Sequence, residues 1–340
     1  MIVLVAGGAG LLGAAIVTSL LDEGEEVVIA DRFDGSGDGS EVKEWRADRL
    51  AKNARARVER LDLADFDALD GLFARHRPAA VVNAALFDPA GPGAGPLFRA
   101  ARAAGTGLFL QLSDGALYAP GPRPERPARE DEPLEAGEDP VLRAKLEEER
   151  MLEELGLPTV ILRVFSVVGP MFPPRRFPAR ELEAILADEE IVFEEAGFSD
   201  FIHIEDAVRG IAAAFRRRPI GRALNLGGGL LVNPRTVLAL LARDARRTLR
   251  LTVTAPRRPL RPRRAASLDA AFETLGWSPV YNMGGIVTSL LSARQGTGGV
   301  RSADAKVTPA FTPPKEPARP VSRRELFGIF RRPFDGNRRG

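Results

Sequence analysis

The feature that most narrows what this chain can fold into is the run Gly7-Gly8-Ala9-Gly10-Leu11-Leu12-Gly13, together with what stands on either side of it. Met1 to Ala6 is an apolar run of strand type, and Leu11 to Asp22 carries its apolar residues at helical spacing. A second apolar run, Val27 to Asp31, reads as another strand. Strand, glycine-rich turn, helix and strand in that order make a βαβ unit, because a crossover helix leaves the two strands parallel. Gly7 permits the tight bend and Gly10 lets the backbone approach a pyrophosphate. Gly13 lets the helix pack closely while its first amides, from Leu11 and Leu12 on, face the phosphates. Asp31 closes the second strand, where a carboxylate accepts both ribose hydroxyls of a dinucleotide and repels a 2′-phosphate. NAD is therefore the expected cofactor, and the neighbouring Arg32 leaves NADP open.

The alternation continues along the chain. Helical spacing over Glu41–Asn53, Asp65–His76, Gly95–Ala104 and Pro140–Leu155 alternates with strand-type runs at Arg57–Leu61, Ala79–Asn83, Gly107–Leu112 and Thr159–Arg163. Six strands alternating with helices predict an α/β fold of the Rossmann type, a doubly wound parallel sheet over residues 1–168. Beyond Gly169, prolines 170, 173, 174 and 178 interrupt the pattern. A smaller substrate-type lobe is expected over 169–294, with strand exchange between the lobes left open. Its predicted helices lie near Ala179–Asp188, Glu205–Arg217, Pro234–Arg246, Ser267–Leu275 and Met283–Ser292, and its strands at Ala223–Leu226 and Leu249–Thr254. Residues 295–340 read as a disordered or extended Pro/Arg-rich tail.

Composition removes whole classes of function. With no cysteine there is no disulfide, no Cys-ligated metal and no thiol nucleophile. His76 and His203 are the only histidines, carboxylates show no ligand spacing, and no metal is expected. The tail holds ten Lys or Arg against four Asp or Glu, so a chain of net charge +2 leaves −4 on residues 1–294. Nucleic acid is not an expected partner of such a body. The apolar N-terminus lacks preceding Lys or Arg and is broken by glycines, so neither a signal peptide nor a membrane span is expected, and the protein reads as cytoplasmic. Within the tail, Leu326, Phe327, Ile329 and Phe330 are bracketed by Arg323-Arg324 and Arg331-Arg332. That pattern predicts docking of residues 321–340 onto a protein partner, the body itself or an anionic membrane surface.

The run Val5 to Gly13 resembles the extended short-chain dehydrogenase/reductases, the NAD-dependent epimerase/dehydratase family acting on nucleotide sugars. Asp62-Leu63 is similar to the family's adenine-contacting pair, and Asn83-Ala84-Ala85 to its turn under the nicotinamide ribose. Leu162 to Pro170, Asp200 to Asp206, Asn225 to Gly228 and Leu275 to Pro279 resemble further family signatures. Glu41 to Asp65 and Phe73 to Ala85 are most similar to UDP-glucuronate 4-epimerases. The resemblance implies a sugar-nucleotide pocket and NAD held partly by Lys145. It also leaves open a homodimer through Pro140–Leu155, against which Glu147, Glu148 and Glu149 stand.

Family members place Tyr and Lys four apart on one helix, the Lys on the nicotinamide ribose and the Tyr phenolate taking the substrate hydroxyl proton. Here the pair is Val141 and Lys145. Loss of a general base typically costs on the order of 10² to 10⁴ in rate. The family's Ser or Thr stands four residues before a Tyr-Gly pair, and that position counted from Tyr118 is Asp114; Ser113 fits with a one-residue insertion. Ser166 replaces an Asn of the sugar pocket. Two readings therefore stand: a non-catalytic or weakly catalytic dinucleotide-binding subunit, or an enzyme using Ser113, Asp114 or Tyr118 instead. Arg257, Arg258, Arg261, Arg263 and Arg264 are candidates to clamp a diphosphate or, equally, solvated loop residues. His203 reads as structural and His76 as a helix-end cation.

Overall fold

The computed structural model describes residues 1–34, 39–120, 126–170, 176–257 and 263–295. Strand β1 (Ile2–Ala6) passes through the glycine turn into α1 (Leu11–Asp22) and returns in β2 (Glu26–Asp31). Then follow α2 (Ser40–Leu50), β3 (Ala56–Arg60), α3 (Phe66–His76), β4 (Ala80–Asn83), α4 (Gly95–Ala103), β5 (Leu108–Asp114), α5 (Pro140–Leu155) and β6 (Thr159–Val164). The second half comprises β7 (Ser166–Val168), α6 (Ala179–Leu186), β8 (Ile191–Glu194), β9 (Ser199–His203), α7 (Ile204–Arg217), β10 (Ala223–Leu226), β11 (Leu231–Val232), α8 (Pro234–Asp244), β12 (Leu251–Thr254), α9 (Asp269–Leu275) and α10 (Met283–Gln295).

Seven parallel strands form the main sheet in the order β10-β6-β5-β4-β1-β2-β3. Alternate residues of one strand face opposite layers. Val3 and Val5 meet Ile16, Val17 and Leu20 of α1 and Val208, Ile211 and Phe215 of α7. Leu4 and Ala6 meet Leu69 and Leu72 of α3, Leu97 and Phe98 of α4 and Leu152 of α5. Both faces are covered, which is why these strands read as unbroken apolar runs. Each fully buried Leu, Ile or Phe contributes about 1.5 to 3 kcal/mol relative to exposure. Local chemistry fixes the helix ends: Asp139 accepts the N–H of Val141 at 2.9 Å ahead of Pro140 at the start of α5, and Gly156 ends that helix at φ 61°.

Ala223–Leu226, expected in the smaller lobe, adds instead to the edge of the main sheet beside β6. The crossover is α7, whose apolar face lies against α1 and the sheet and so carries the chain back. The smaller lobe surrounds Leu182, Ile185, Phe193, Val237, Leu241, Ile286 and Leu290. Its sheets, β11-β9-β7 and β12-β8, use strands of two to five residues, and β7, β8, β9 and β11 are too short to stand out by periodicity. The tail reading falls on residues outside those described. Among the described residues no helix is long and apolar enough to cross a membrane.

Candidate functional site

The glycine turn lies at the C-terminal end of β1, against the turn that follows β4. Gly7 has φ 72°, and a β-carbon there would stand 2.7 Å from the backbone of Ala85, so both the bend and the close approach require glycine. A β-carbon on Gly13 would run into the Gly7 carbonyl, whereas one on Gly10 would meet only that oxygen, at 3.2 Å. Gly10 caps α1 without any side-chain bond, and the helix has no acidic residue in its first turn. Its first N–H groups are thus left for an anion, which is the cradle a pyrophosphate fits. Leu11 and Leu12 start the helix with their side chains against the core.

Asp31 is buried at the end of β2, where its Oδ2 accepts the Ala9 N–H at 3.2 Å and its Oδ1 the Phe33 N–H at 3.4 Å. Lys43 of α2 reaches the same Oδ1 at 3.2 Å. Arg46, one turn on, donates to Ala9 O at 3.2 Å. Neither basic residue was singled out in the sequence; they sit three apart on α2. Arg32 pairs with Asp34 at 3.0 Å and reaches Asp62 at 3.9 Å, while Leu63 is buried. Ala84 donates its N–H to Ala6 O at 2.9 Å, which ties the β4 turn to the glycine turn.

Lys145 comes to the same place from α5. Its Nζ donates to Ala85 O at 3.4 Å and pairs with Glu148 at 2.8 Å, both side chains buried. Val141, four residues earlier, is 42% exposed, so an open position stands beside Lys145 on that helix face. Ser113 and Asp114 end β5, two residues beyond the expected strand end. Ser113 Oγ donates to the buried carboxylate of Glu149, which also takes two bonds from Arg163 at 3.2 and 2.8 Å. Asp114 accepts the Ala116 N–H at 2.7 Å, and burial raises its pKa against the pull of the positive charges of Arg263 and Lys145. It lines a small cleft with Gly115, Phe165, Ser166, Asp200 and Arg263.

Neither tyrosine is free. Tyr118 donates to Asn225 Oδ1 at 2.7 Å and accepts from Arg163 at 2.9 Å, and burial pushes its phenol up to about 12. Tyr281 donates to Glu205 at 2.6 Å, its ring stacked on His203 at 3.8 Å. His203 is fully buried and bonded to Ser289, and burial lowers its pKa. Arg264 is buried against Glu132, and Arg257 pairs with Glu194; Arg258 and Arg261 lie outside the described residues. Among the described residues, no cluster of His, Asp and Glu could hold a metal ion.

Fold and glycine turn together define an α/β protein of the Rossmann type built for a dinucleotide. The chain belongs to the NAD dependent epimerase/dehydratase family, whose family model matches residues 3–227, and NAD is the cofactor that goes with it. It is 27% identical over 338 residues to a UDP-glucose 4-epimerase of Rhizobium meliloti (strain 1021), covering 87% of this chain and 98% of the relative. Among solved structures it is similar to the Thermus thermophilus UDP-glucose 4-epimerase complex with NAD, with a TM-score of 0.75, 26% identity, and 88% and 100% of the two chains covered. It shares its fold with UDP-glucuronic acid 4-epimerase from Bacillus cereus in complex with UDP-glucuronic acid and NAD, at a TM-score of 0.76, 22% identity, and 87% and 99% coverage.

Proposed function

We propose that this chain holds NAD at the glycine turn and a sugar nucleotide in the cleft beside Asp114, but has lost the phenolate chemistry of its family and is a non-catalytic or weakly catalytic subunit. In this reading Gly7, Gly10 and Gly13 cradle the pyrophosphate and Asp31 takes the adenosine ribose. Asp62 and Leu63 flank the adenine, and Ala84, Ala85 and Lys145 support the nicotinamide ribose. The observation that carries the reading is Val141 beside Lys145, with both phenols of the chain bonded elsewhere. Residues 321–340 supply the anchor to a larger assembly, through their aromatic and arginine side chains. Calorimetry with NAD, followed by turnover assays with UDP-glucuronate and UDP-glucose, tests this. Dinucleotide affinity with negligible turnover is the expected result; robust turnover, or no affinity for NAD, sinks it.

A second reading rests on Asp114, a carboxyl of raised pKa facing the cleft where the family has Ser or Thr. There it would serve as the acid–base group of a working epimerase or dehydratase. Turnover that vanishes in Asp114→Asn would favour it.

A further inference from the structure

The carboxylate of Glu148 is buried and held by two donors. Its Oε2 accepts from Lys145 Nζ at 2.8 Å and from Gln111 Nε2 at 2.8 Å, and Gln111 in turn takes the side-chain N–H of Asn83 at 2.9 Å. A polar chain thus runs from β4 across β5 to α5 and fixes the Lys145–Glu148 ion pair inside the protein. We infer that Glu148 cancels the charge of Lys145 toward position 141, so that Lys145 supports the nicotinamide end of the site but cannot stabilise a phenolate on its own helix.

The physical argument is one of net charge. Residues four apart on a helix have β-carbons about 6 Å apart, so position 141 looks directly at Lys145. A lone ammonium about 4 to 6 Å from a phenol would lower its pKa by roughly 1 to 3 units. With a carboxylate in contact with that ammonium, position 141 faces a dipole instead, and most of the effect is lost. Asp114 at the end of β5 feels the charges of Arg263, Lys145 and Asp139, so these are the other charged groups around this end of α5. Glu149 is already matched by Arg163. Position 141 has therefore lost more than its phenol, because the lysine that would activate a phenol there is also neutralised.

The inference rests on the reading that position 141 is where the family's phenol stands, and its test needs neither NAD nor substrate. The full chain carries two tyrosines, both raised by burial, Tyr118 to about 12 and Tyr281 also upward, so a phenol introduced at 141 titrates before them. Phenolate absorbance is followed against pH in Val141→Tyr and in Val141→Tyr/Glu148→Gln; Gln keeps the shape of Glu and removes its charge. The first phenol should titrate close to the ordinary value of about 10, and the second at least about one unit lower. Equal titration in both, or a phenol already depressed in Val141→Tyr alone, overturns the inference. Should Glu148→Gln unfold the protein, Val141→Tyr/Lys145→Met reads the same balance from the other side. Its phenol should then rise by about one unit above that of Val141→Tyr, and no rise overturns the inference equally. A protein without NAD affinity would refute the proposed function and leave this titration intact.

Discussion

The carbonyl oxygen of Gly7 occupies the space that a β-carbon on Gly13 would need, so the bend after β1 and the first turn of α1 interlock backbone to backbone. Gly13→Ala must push that turn apart. A loss of about 1 to 3 kcal/mol in stability is expected, with weakened dinucleotide affinity because the helix start moves. Denaturant unfolding and calorimetry check it, and an unchanged midpoint would show that the turn is looser than described.

Gly10 offers the contrasting case. A β-carbon there meets only the Gly7 carbonyl, at 3.2 Å, and the side chain would enter the space before the helix N-terminus. Gly10→Glu should keep the melting temperature within a few degrees yet abolish NAD binding, by filling the pyrophosphate position and placing a carboxylate there. Retained affinity would place the dinucleotide elsewhere.

Arg163 and Glu149 form a buried pair at 2.8 Å, with Ser113 and Tyr118 bonded to it. Removing one partner leaves the other charged and buried. Arg163→Met should therefore cost about 3 to 5 kcal/mol, while Arg163→Met/Glu149→Leu recovers a large part of that loss. A double-mutant cycle measures the coupling, and additive losses would contradict it.

Asp200 is buried, and its carboxylate accepts backbone N–H groups from Gly228 at 2.6 Å, Gly229 at 3.0 Å and Ala266 at 2.8 Å. Burial outweighs those bonds and raises its pKa from 3.8 to about 7. The folded state then binds this proton more tightly than the unfolded chain. The stabilisation is full below the unfolded value near 4 and is lost as pH rises toward 7. Thermal melts from about pH 5 to 8 should show this decline, and Asp200→Asn should melt lower throughout but with a flatter profile. Identical slopes in the two proteins would show that Asp200 does not titrate in this window.

If residues 321–340 act as the proposed anchor, deleting them should abolish co-purification of protein partners without changing NAD affinity, and Phe327→Ala/Phe330→Ala should do the same. Co-purification of the same partners after the deletion would exclude the anchor.

Much of this architecture is legible in the residues themselves. Parallel strands buried on both faces must be apolar throughout, so β1, β2 and β4 announce themselves, and the glycines announce the turn because few other residues fit where Gly7 and Gly13 stand. Asp31 is read from its place at the end of the second strand, and Lys145 from the family resemblance. Lys43 is read from neither, because its meeting with Asp31 depends on how α2 folds back over the turn, which spacing does not encode.

The same boundary separates the two sides of α5. The sequence alone determines that this helix carries Val141 and, one turn later, Lys145, the pair at which the family resemblance sets a Tyr and a Lys. It makes Glu148 and Glu149 look like a solvated face, since charged residues are seldom buried. Only the tertiary structure turns them inward, because Gln111 and Ser113 of β5 and Arg163 of β6 present the donors that a buried carboxylate requires. In the same way the residues determine that Ala223–Leu226 is a strand. Its place at the edge of the main sheet was decided by the burial of α7 against α1, a contact between segments far apart in the chain.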